Sequence, residues 1–144
     1  MRAPFRVSRD VVEVRLSDAE RDAIAGIPEV IEAAGGADGR FEYQAHPEDA
    51  AADRRYHELI GDDLDTLRSA DRDAFREAIR AEVLTSEQAE AVMRVIGEAR
   101  IVLAQRLGLE EDGWEQTAPI DDPEVAMLYY LGYLQDVLVQ VLAV

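Results

Sequence analysis

The chain opens with two short runs of β-prone residues separated by a tight polar break. The first run, FRV, and the second, VVEVRL, lie on either side of the tripeptide SRD. In the second run Val12, Val14 and Leu16 are spaced two apart, which places their side chains on one face of an extended strand. Two such runs joined by a polar turn are typical of a hairpin. The pattern therefore predicts an N-terminal β-hairpin.

Helical spacing replaces this alternation after Ser17. Ser17 and Glu20 form a capping box, in which each side chain bonds the backbone N–H of the other residue, and this opens a helix. The apolar stripe of that helix consists of Ile24, Ile27, Ile31 and Ala34. Because Pro28 lies inside the stripe, we expect the helix to bend or to divide there. The run GGADG at 35–39 ends the segment, and a loop extends to about Pro47.

Two further helices are predicted in the middle of the chain. The second helix covers Pro47 to Ala70. Its shared apolar face consists of Tyr56, Ile60, Leu64 and Leu67. The third helix carries Phe75, Ile79 and Val83 at helical spacing. Both patterns indicate amphipathic helices that bury one face.

Two longer helices follow. Thr85 and Gln88 form a second capping box, which opens a helix that ends at Leu107 before a glycine. An acidic loop comes next. Asp122 then caps a final helix that has Pro123 at its first position, where the missing N–H of proline costs nothing.

The final helix is apolar nearly all round. Its run VAMLYYLGYLQDVLVQVLAV is long enough to span a bilayer, but Asp136 inside the run would be costly there and no basic residue follows Arg106. A helix without a polar side is either central in a bundle or shared with another chain. We therefore predict a buried central helix, with a homodimer interface along the same helix as the alternative.

Together these elements predict the fold class. We expect a mainly α protein that forms a single-domain helical bundle of about five helices over residues 1–144, with a short N-terminal β-hairpin. Nearly half of the residues are apolar and about a third are charged, which is typical of a globular chain.

The charge narrows the classes of partner. The formal net charge is -16, from 31 acids against 15 bases. Such a surface repels phosphate backbones and anionic lipid, so we expect neither direct binding to nucleic acid nor binding to a membrane. The chain has no cysteine, which removes disulfides and thiolate chemistry. The N-terminal segment lacks a secretory signal pattern, and we expect a cytoplasmic protein.

The sequence offers little catalytic chemistry. His46 and His57 lie in different segments and are not at a metal-binding motif spacing. No serine lies in a GxSxG turn, and no glycine run has phosphate-binding spacing. We therefore expect no catalytic residue, no metal and no cofactor. Trp114, the single tryptophan, lies in the loop EEDGWEQ; it is a candidate partner contact if exposed, and otherwise packs over the edge of the core.

Arg100 is the most unusual residue of the long helix. A helical projection places it in the apolar stripe near Ile96 and Leu103, with no acid three or four residues away. A guanidinium in that position must find a partner on another element or extend to water. We predict a bridge to Asp63, assisted by Gln135, that holds the register of the bundle. Arg106 is a further candidate for the structural or functional core. A ligand-binding role for Arg100 is the alternative.

The same residues carry a family resemblance. Arg100, Leu103, Arg106, Leu107 and Gly108 match a run of the form Arg-Leu-Val-Leu-Gly-x-Arg-Leu-Gly. Leu131, Gly132, Leu134 and Gln135 match a run of the form Trp-Leu-Gly-Trp-Leu-Gln. Asp62, Asp63, Leu64 and Arg68 match Asp-Asp-Leu-x-x-x-Arg. In these runs the chain resembles the actinobacterial AosR-like family, although Tyr130 and Tyr133 stand where that family has tryptophans.

The resemblance implies a function. It implies a non-enzymatic, cytoplasmic regulator of transcription in the oxidative-stress response, which acts through contact with a protein such as a sigma factor or RNA polymerase. The negative charge favours such a partner over DNA. Thiol–disulfide sensing cannot operate without cysteine. The alternatives are an adaptor or accessory protein in proteolysis or sulfur metabolism, and a small-ligand binder or enzyme that uses a pocket near Arg100.

Overall fold

The computed structural model describes residues 3–34, 66–109 and 122–143. The elements in chain order are β1 (Phe5–Ser8), β2 (Val11–Val14), α1 (Asp18–Ile24), α2 (Ile27–Ala33), α3 (66–78 within the described part), β3 (Val83–Leu84), α4 (Ser86–Leu107) and α5 (Pro123–Leu142). The protein is mainly α, with a small antiparallel sheet formed by residues near the N-terminus and one later strand. The predicted fold class is confirmed.

The predicted hairpin is present and gains a third strand. β1 and β2 pair antiparallel, with Phe5 opposite Val14, and Arg9 in the tight turn has a φ of 59°. β3 adds to the other side of β2, with Val12 opposite Leu84. Val83 therefore lies in a strand, so its placement on the face of the third helix was wrong. The inward residues of the sheet, such as Val12 and Leu84, pack into the core.

Pro28 divides the first predicted helix in two. α1 ends at Ile24 and α2 begins at Ile27, so that Pro28 lies in the first turn of α2. Proline is tolerated there because the N–H that it lacks would have no partner within the helix. The predicted capping box of Ser17 and Glu20 opens α1.

The predicted break between the second and third helices is wrong. Residues 66–78 form one helix that continues through Ala70 and Asp71, where the sequence has neither proline nor glycine. Phe75 and Ala78 of this helix are buried in the core. The rest of the predicted second helix, from Pro47, lies outside the described residues.

α4 and α5 pack against each other and contribute much of the core. α4 begins with the predicted Thr85–Gln88 capping box, and Asp122 caps α5. The buried core residues that the two helices contribute include Val92, Ile96 and Leu103 of α4 and Leu128, Leu131, Leu134 and Leu138 of α5. These aliphatic side chains are removed from water and stabilise the pair.

α5 is buried on one side only. By length and composition it could cross a membrane, but its four core leucines are buried inside the protein, whereas Tyr133 is 44% exposed and Val139 is 52% exposed. The prediction of a central buried helix is therefore wrong for the described residues, and the alternative of a homodimer interface along α5 stays a prediction. An apolar composition does not show how many neighbours a helix has, because a small bundle can cover only part of its surface.

Candidate functional site

Arg100 and Gln135 join α4 to α5 by a short hydrogen bond. Nη1 of Arg100 donates to Oε1 of Gln135 over 2.6 Å, and both side chains are half-buried. A bond from a charged donor is stronger than one between neutral groups. Nε of Arg100 is buried, and within the described residues it has no hydrogen-bond partner. The contact predicted between these two residues is thus present.

Two glycines make room for this pair. A Cβ atom at Gly97 would lie 3.0 Å from Nε2 of Gln135, and a Cβ atom at Gly132 would lie 3.4 Å from Nη2 of Arg100. Each glycine therefore lies directly beside the side chain that the other helix contributes. The helices approach closely here because small residues leave space for the two long polar side chains. We call Gly97, Arg100, Gly132 and Gln135 the arginine–glutamine contact.

The other predicted site residues lie elsewhere. Asp63 and Trp114 fall outside the described residues, so the bridge from Arg100 to Asp63 stays a prediction. Nε of Arg106 lies 3.7 Å from a carboxylate oxygen of Glu124, and the Arg106 side chain is 57% exposed. Arg106 therefore forms a surface ion pair between α4 and α5 and is not part of the arginine–glutamine contact.

Arg21 is a buried arginine that the sequence analysis missed. It is 7% exposed, and its Nη1 donates to the backbone oxygens of Ile79 at 2.6 Å and Ala81 at 2.9 Å. Its Nε donates to the backbone oxygen of Leu16 at 3.1 Å. The carbonyls after α3 would otherwise lack partners, since the last turn of a helix leaves its C=O groups unpaired. Arg21 thus ties α1 to the end of α3.

A signal for Arg21 was present in the sequence. At about 100° per residue, Arg21 lies roughly 60° from Ile24 around the helix and so borders the apolar stripe. The projection that identified Arg100 would therefore also have identified Arg21. What the projection could not supply was the partner, because the acceptors are backbone oxygens of a distant turn.

Ion pairs connect α2, α3 and α4. Arg76 of α3 bonds Glu29 and Glu32 of α2, at 3.3 and 2.7 Å. Arg72, also on α3, lies between Glu32 at 3.3 Å and Glu98 of α4 at 3.5 Å. Hydrogen bonds from Arg76 are the main reason that the pKa of Glu32 lies below its usual value. The network holds the exposed side of α3 against its neighbours.

A surface cleft of 970 Å³ opens between the end of β2, the start of α1 and the middle of α5. Its lining residues are Pro4, Val14, Arg15, Leu16, Ser17, Asp18, Glu20, Arg21, Glu82, Tyr130 and Tyr133. We call it the tyrosine cleft. A second cleft, of 690 Å³, lies between α2 and α4. Arg100 lines neither of these two clefts.

Glu20 and Tyr130 form the best-defined polar pair of the tyrosine cleft. The Tyr130 hydroxyl donates to Glu20 over 2.8 Å, and the other carboxylate oxygen accepts the backbone N–H of Ser17 over 3.0 Å. The hydrogen bond from the Ser17 backbone is the main cause that lowers the pKa of Glu20, and the bond from Tyr130 is the next largest. Burial raises the pKa of the Tyr130 phenol, and its bond to Glu20 adds to that rise. Tyr130 therefore remains a neutral donor and Glu20 an ionised acceptor at neutral pH.

The described residues contain no cluster of three or more histidine, cysteine, aspartate or glutamate side chains arranged to hold a metal ion. Both histidines, His46 and His57, lie outside the described part of the chain. The expectation that the protein binds no metal therefore stays a prediction.

Comparison with known proteins identifies a family. Residues 37–142 match a family model described as a domain of unknown function, DUF2017. The matched segment contains α3, α4 and α5 with the whole arginine–glutamine contact, whereas β1, β2, α1 and α2 precede it. No curated protein and no solved structure matches the chain. Since the match covers well over half of its residues, the chain belongs to the DUF2017 family.

Proposed function

We propose that this protein is a non-enzymatic regulator that binds a protein partner through its acidic surface and acts on transcription in the cytoplasm. The partner we propose is a sigma factor or RNA polymerase, and not DNA. The observation that carries the proposal is that most described arginines are paired or buried within the protein, whereas the chain has a large excess of acids.

The described arginines are mostly engaged inside the molecule. The arginine side chains in ion pairs with acids of the same chain are Arg15, Arg72, Arg76, Arg80, Arg94 and Arg106. Arg21 is buried and Arg100 bonds Gln135. These ion pairs neutralise the charge of six described arginines, whereas Arg21 and Arg100 keep their charge inside the fold, and the net charge of -16 leaves an excess of acids on the surface. Such a surface attracts basic protein segments and repels nucleic acid.

The resemblance to the AosR-like family is the reason for proposing a role in transcription. All three runs that resemble the AosR-like family lie inside the DUF2017 match, and two of them, residues 100–108 and 130–135, meet in the structure at Arg100 and Gln135. The resemblance therefore covers a structural unit and not two unrelated stretches. It supports a role in transcription. Because the chain has no cysteine, we do not include thiol-based sensing in the proposal.

A direct binding experiment tests the proposal. The protein is immobilised, and the purified core RNA polymerase and individual sigma factors of the source organism are passed over it, with a double-stranded promoter fragment as the competing ligand. We expect one of the proteins to bind at micromolar concentration and the DNA not to bind. Binding should weaken as salt rises from about 50 mM to about 500 mM, because screening reduces attraction between exposed charges.

Two results would contradict the proposal. One is binding of the promoter fragment with no binding of any transcription protein. The other is the absence of binding by all of these ligands at low salt, where electrostatic attraction is strongest.

A further inference from the structure

We propose that the tyrosine cleft receives an arginine- or lysine-bearing segment of the protein partner. This inference rests on the proposed function insofar as it needs a protein partner, but it assigns the contact to one place on the molecule.

The cleft is large enough to admit a long basic side chain. Its 970 Å³ lie between three elements of the fold, and two tyrosine rings form part of its wall. Tyr133 is 44% exposed, which is unusual for a large aromatic side chain. Exposed tyrosines in concave surfaces often become buried contacts when a partner binds. A guanidinium or ammonium group can also lie over the face of a tyrosine ring.

The charges of the cleft favour a cation. Asp18, Glu20 and Glu82 contribute three carboxylates to its lining. The two arginines of the lining offset only part of this charge. Arg15 is paired with Glu13 at 3.2 Å, and Arg21 contributes one buried positive charge whose N–H groups bond backbone oxygens, against the three carboxylates. An incoming basic side chain therefore meets excess negative charge.

Glu20 is held in position to accept such a side chain. One of its carboxylate oxygens is fixed by the Ser17 N–H and the other by the Tyr130 hydroxyl. Each oxygen of a carboxylate can accept more than one hydrogen bond, so both retain acceptor capacity. A guanidinium presents two parallel N–H groups that match a carboxylate. Because Glu20 is already ordered, its contribution to binding needs little additional ordering of the side chain.

A peptide titration tests the assignment. The probe is a fluorescein-labelled octapeptide of alternating arginine and glycine, and its control has glutamine in place of arginine. Binding to the full chain is followed by fluorescence anisotropy at low salt. We expect the arginine peptide to bind and the glutamine peptide not to bind. Tyr133→Ala and the double variant Asp18→Asn/Glu82→Gln should each weaken binding about tenfold, since they remove the ring or two of the three carboxylates.

Charge-matched variants distinguish binding in the tyrosine cleft from general electrostatic attraction to the acidic surface. Glu87→Gln/Glu90→Gln changes the net charge by the same amount at two exposed acids of α4 that do not line the cleft, and should change the affinity by less than about twofold. Tyr133→Phe keeps the aromatic ring and should keep the affinity. Circular dichroism verifies that each variant is folded. Equal weakening by the α4 variant and the cleft variants would overturn the proposal.

The same variants distinguish this inference from the proposed function. If a sigma factor or RNA polymerase binds the wild-type protein, and binds Tyr133→Ala and Asp18→Asn/Glu82→Gln equally well, the cleft is not the contact while the proposed function stands. If the arginine peptide binds at the cleft but no transcription protein binds the chain, the cleft assignment stands and the proposed function fails.

Discussion

Gln135 of α5 accepts a hydrogen bond of 2.6 Å from Arg100 of α4. This bond joins the two sequence runs, residues 100–108 and 130–135, that resemble runs of the AosR-like family. Arg100 lies in the first run and Gln135 in the second, 35 residues further along the chain. Gly97 and Gly132 let the two side chains lie between closely packed helices. The hydrogen bond and the close approach at the two glycines hold α4 against α5.

Removal of Arg100 should destabilise the protein. Hydrogen bonds to charged groups contribute roughly 1.5–3 kcal/mol, and the truncation also leaves Gln135 without this donor. We expect Arg100→Ala to lower the free energy of unfolding by about 2–3 kcal/mol in urea denaturation followed by circular dichroism. The control is Arg106→Ala, because the exposed pair of Arg106 with Glu124 should contribute less than about 1 kcal/mol. Equal stability of Arg100→Ala and the wild-type protein would contradict the structural role.

The effect of Gly97→Ala on the free energy of unfolding should depend on the residue at position 135. Alanine is favoured over glycine inside a helix by about 1 kcal/mol. At Gly97, however, the new Cβ would lie only 3.0 Å from Nε2 of Gln135, whose side chain is held by Arg100. We expect Gly97→Ala to destabilise the wild-type protein, and to stabilise the Gln135→Ala variant by about 1 kcal/mol. A double-mutant cycle of unfolding free energies measures this coupling, and additive effects would argue against the close approach.

Replacement of Arg21 should destabilise the protein. Arg21→Ala leaves the buried backbone oxygen of Ile79 and the partly buried one of Ala81 without their donor, and an unsatisfied buried group costs about 1–3 kcal/mol. We expect a loss of at least about 3 kcal/mol for the two oxygens together. Arg21→Lys should recover only part of the loss, because an ammonium cannot reproduce the planar fork of a guanidinium. The exposed Arg80 is the control.

If Arg21→Ala does not fold, thermal unfolding of Arg21→Lys and Arg80→Ala decides the prediction. Arg21→Lys should melt below the wild-type protein, and Arg80→Ala should melt with it. The reverse order would show that the bonds of Arg21 contribute little.

Arg72 should matter more to stability than Arg76, although Arg76 makes more ion pairs. The side chains of Arg72 and Glu98 are only 13% and 10% exposed, so Arg72→Ala leaves a largely buried carboxylate without its partner. Breaking a buried pair in this way costs about 3 kcal/mol or more, whereas an exposed pair contributes less than about 1 kcal/mol. Urea denaturation of Arg72→Ala and Arg76→Ala compares the two. If Arg72→Ala/Glu98→Met restores stability, the loss in Arg72→Ala comes from the unpaired carboxylate of Glu98. A larger loss for Arg76→Ala than for Arg72→Ala would contradict the prediction.

Local signals predicted the ends of several elements correctly. The capping boxes at Ser17 and Thr85 and the Asp122 cap start the helices that the sequence indicated, since the groups that satisfy a helix start lie within three residues of it. The same local reasoning misplaced Val83, because strand β3 forms by pairing with β2, about 70 residues earlier in the chain. Pairing over such a distance leaves no periodic signal in a two-residue strand.

The sequence likewise predicted the local features of the candidate site but not its long-range contacts. A helical projection showed that Arg100 needed a partner outside its own helix, and Gln135 was among the predicted partners. The projection did not show the tyrosine cleft, because Glu20 and Tyr130 are 110 residues apart and the sequence assigned Glu20 only to a capping box. A residue with two roles shows the local role in the sequence and the long-range role only in the structure.

The last prediction concerns the pH dependence of Glu20. Hydrogen bonds from Ser17 and Tyr130 lower the pKa of Glu20 in the folded protein, so the carboxylate stabilises the fold above its unfolded pKa of about 4.3, and this contribution is lost as the pH falls through the folded value. We expect carbon-13 NMR titration to place the pKa of Glu20 below that of an exposed glutamate such as Glu87. Tyr130→Phe should raise the pKa of Glu20 partway, because the Ser17 N–H remains. In Glu20→Gln, which keeps a capping side chain, the stability deficit relative to wild type should shrink between about pH 7 and about pH 3. A Glu20 pKa that equals that of Glu87 and is unaffected by Tyr130→Phe would show that the pair does not form in solution.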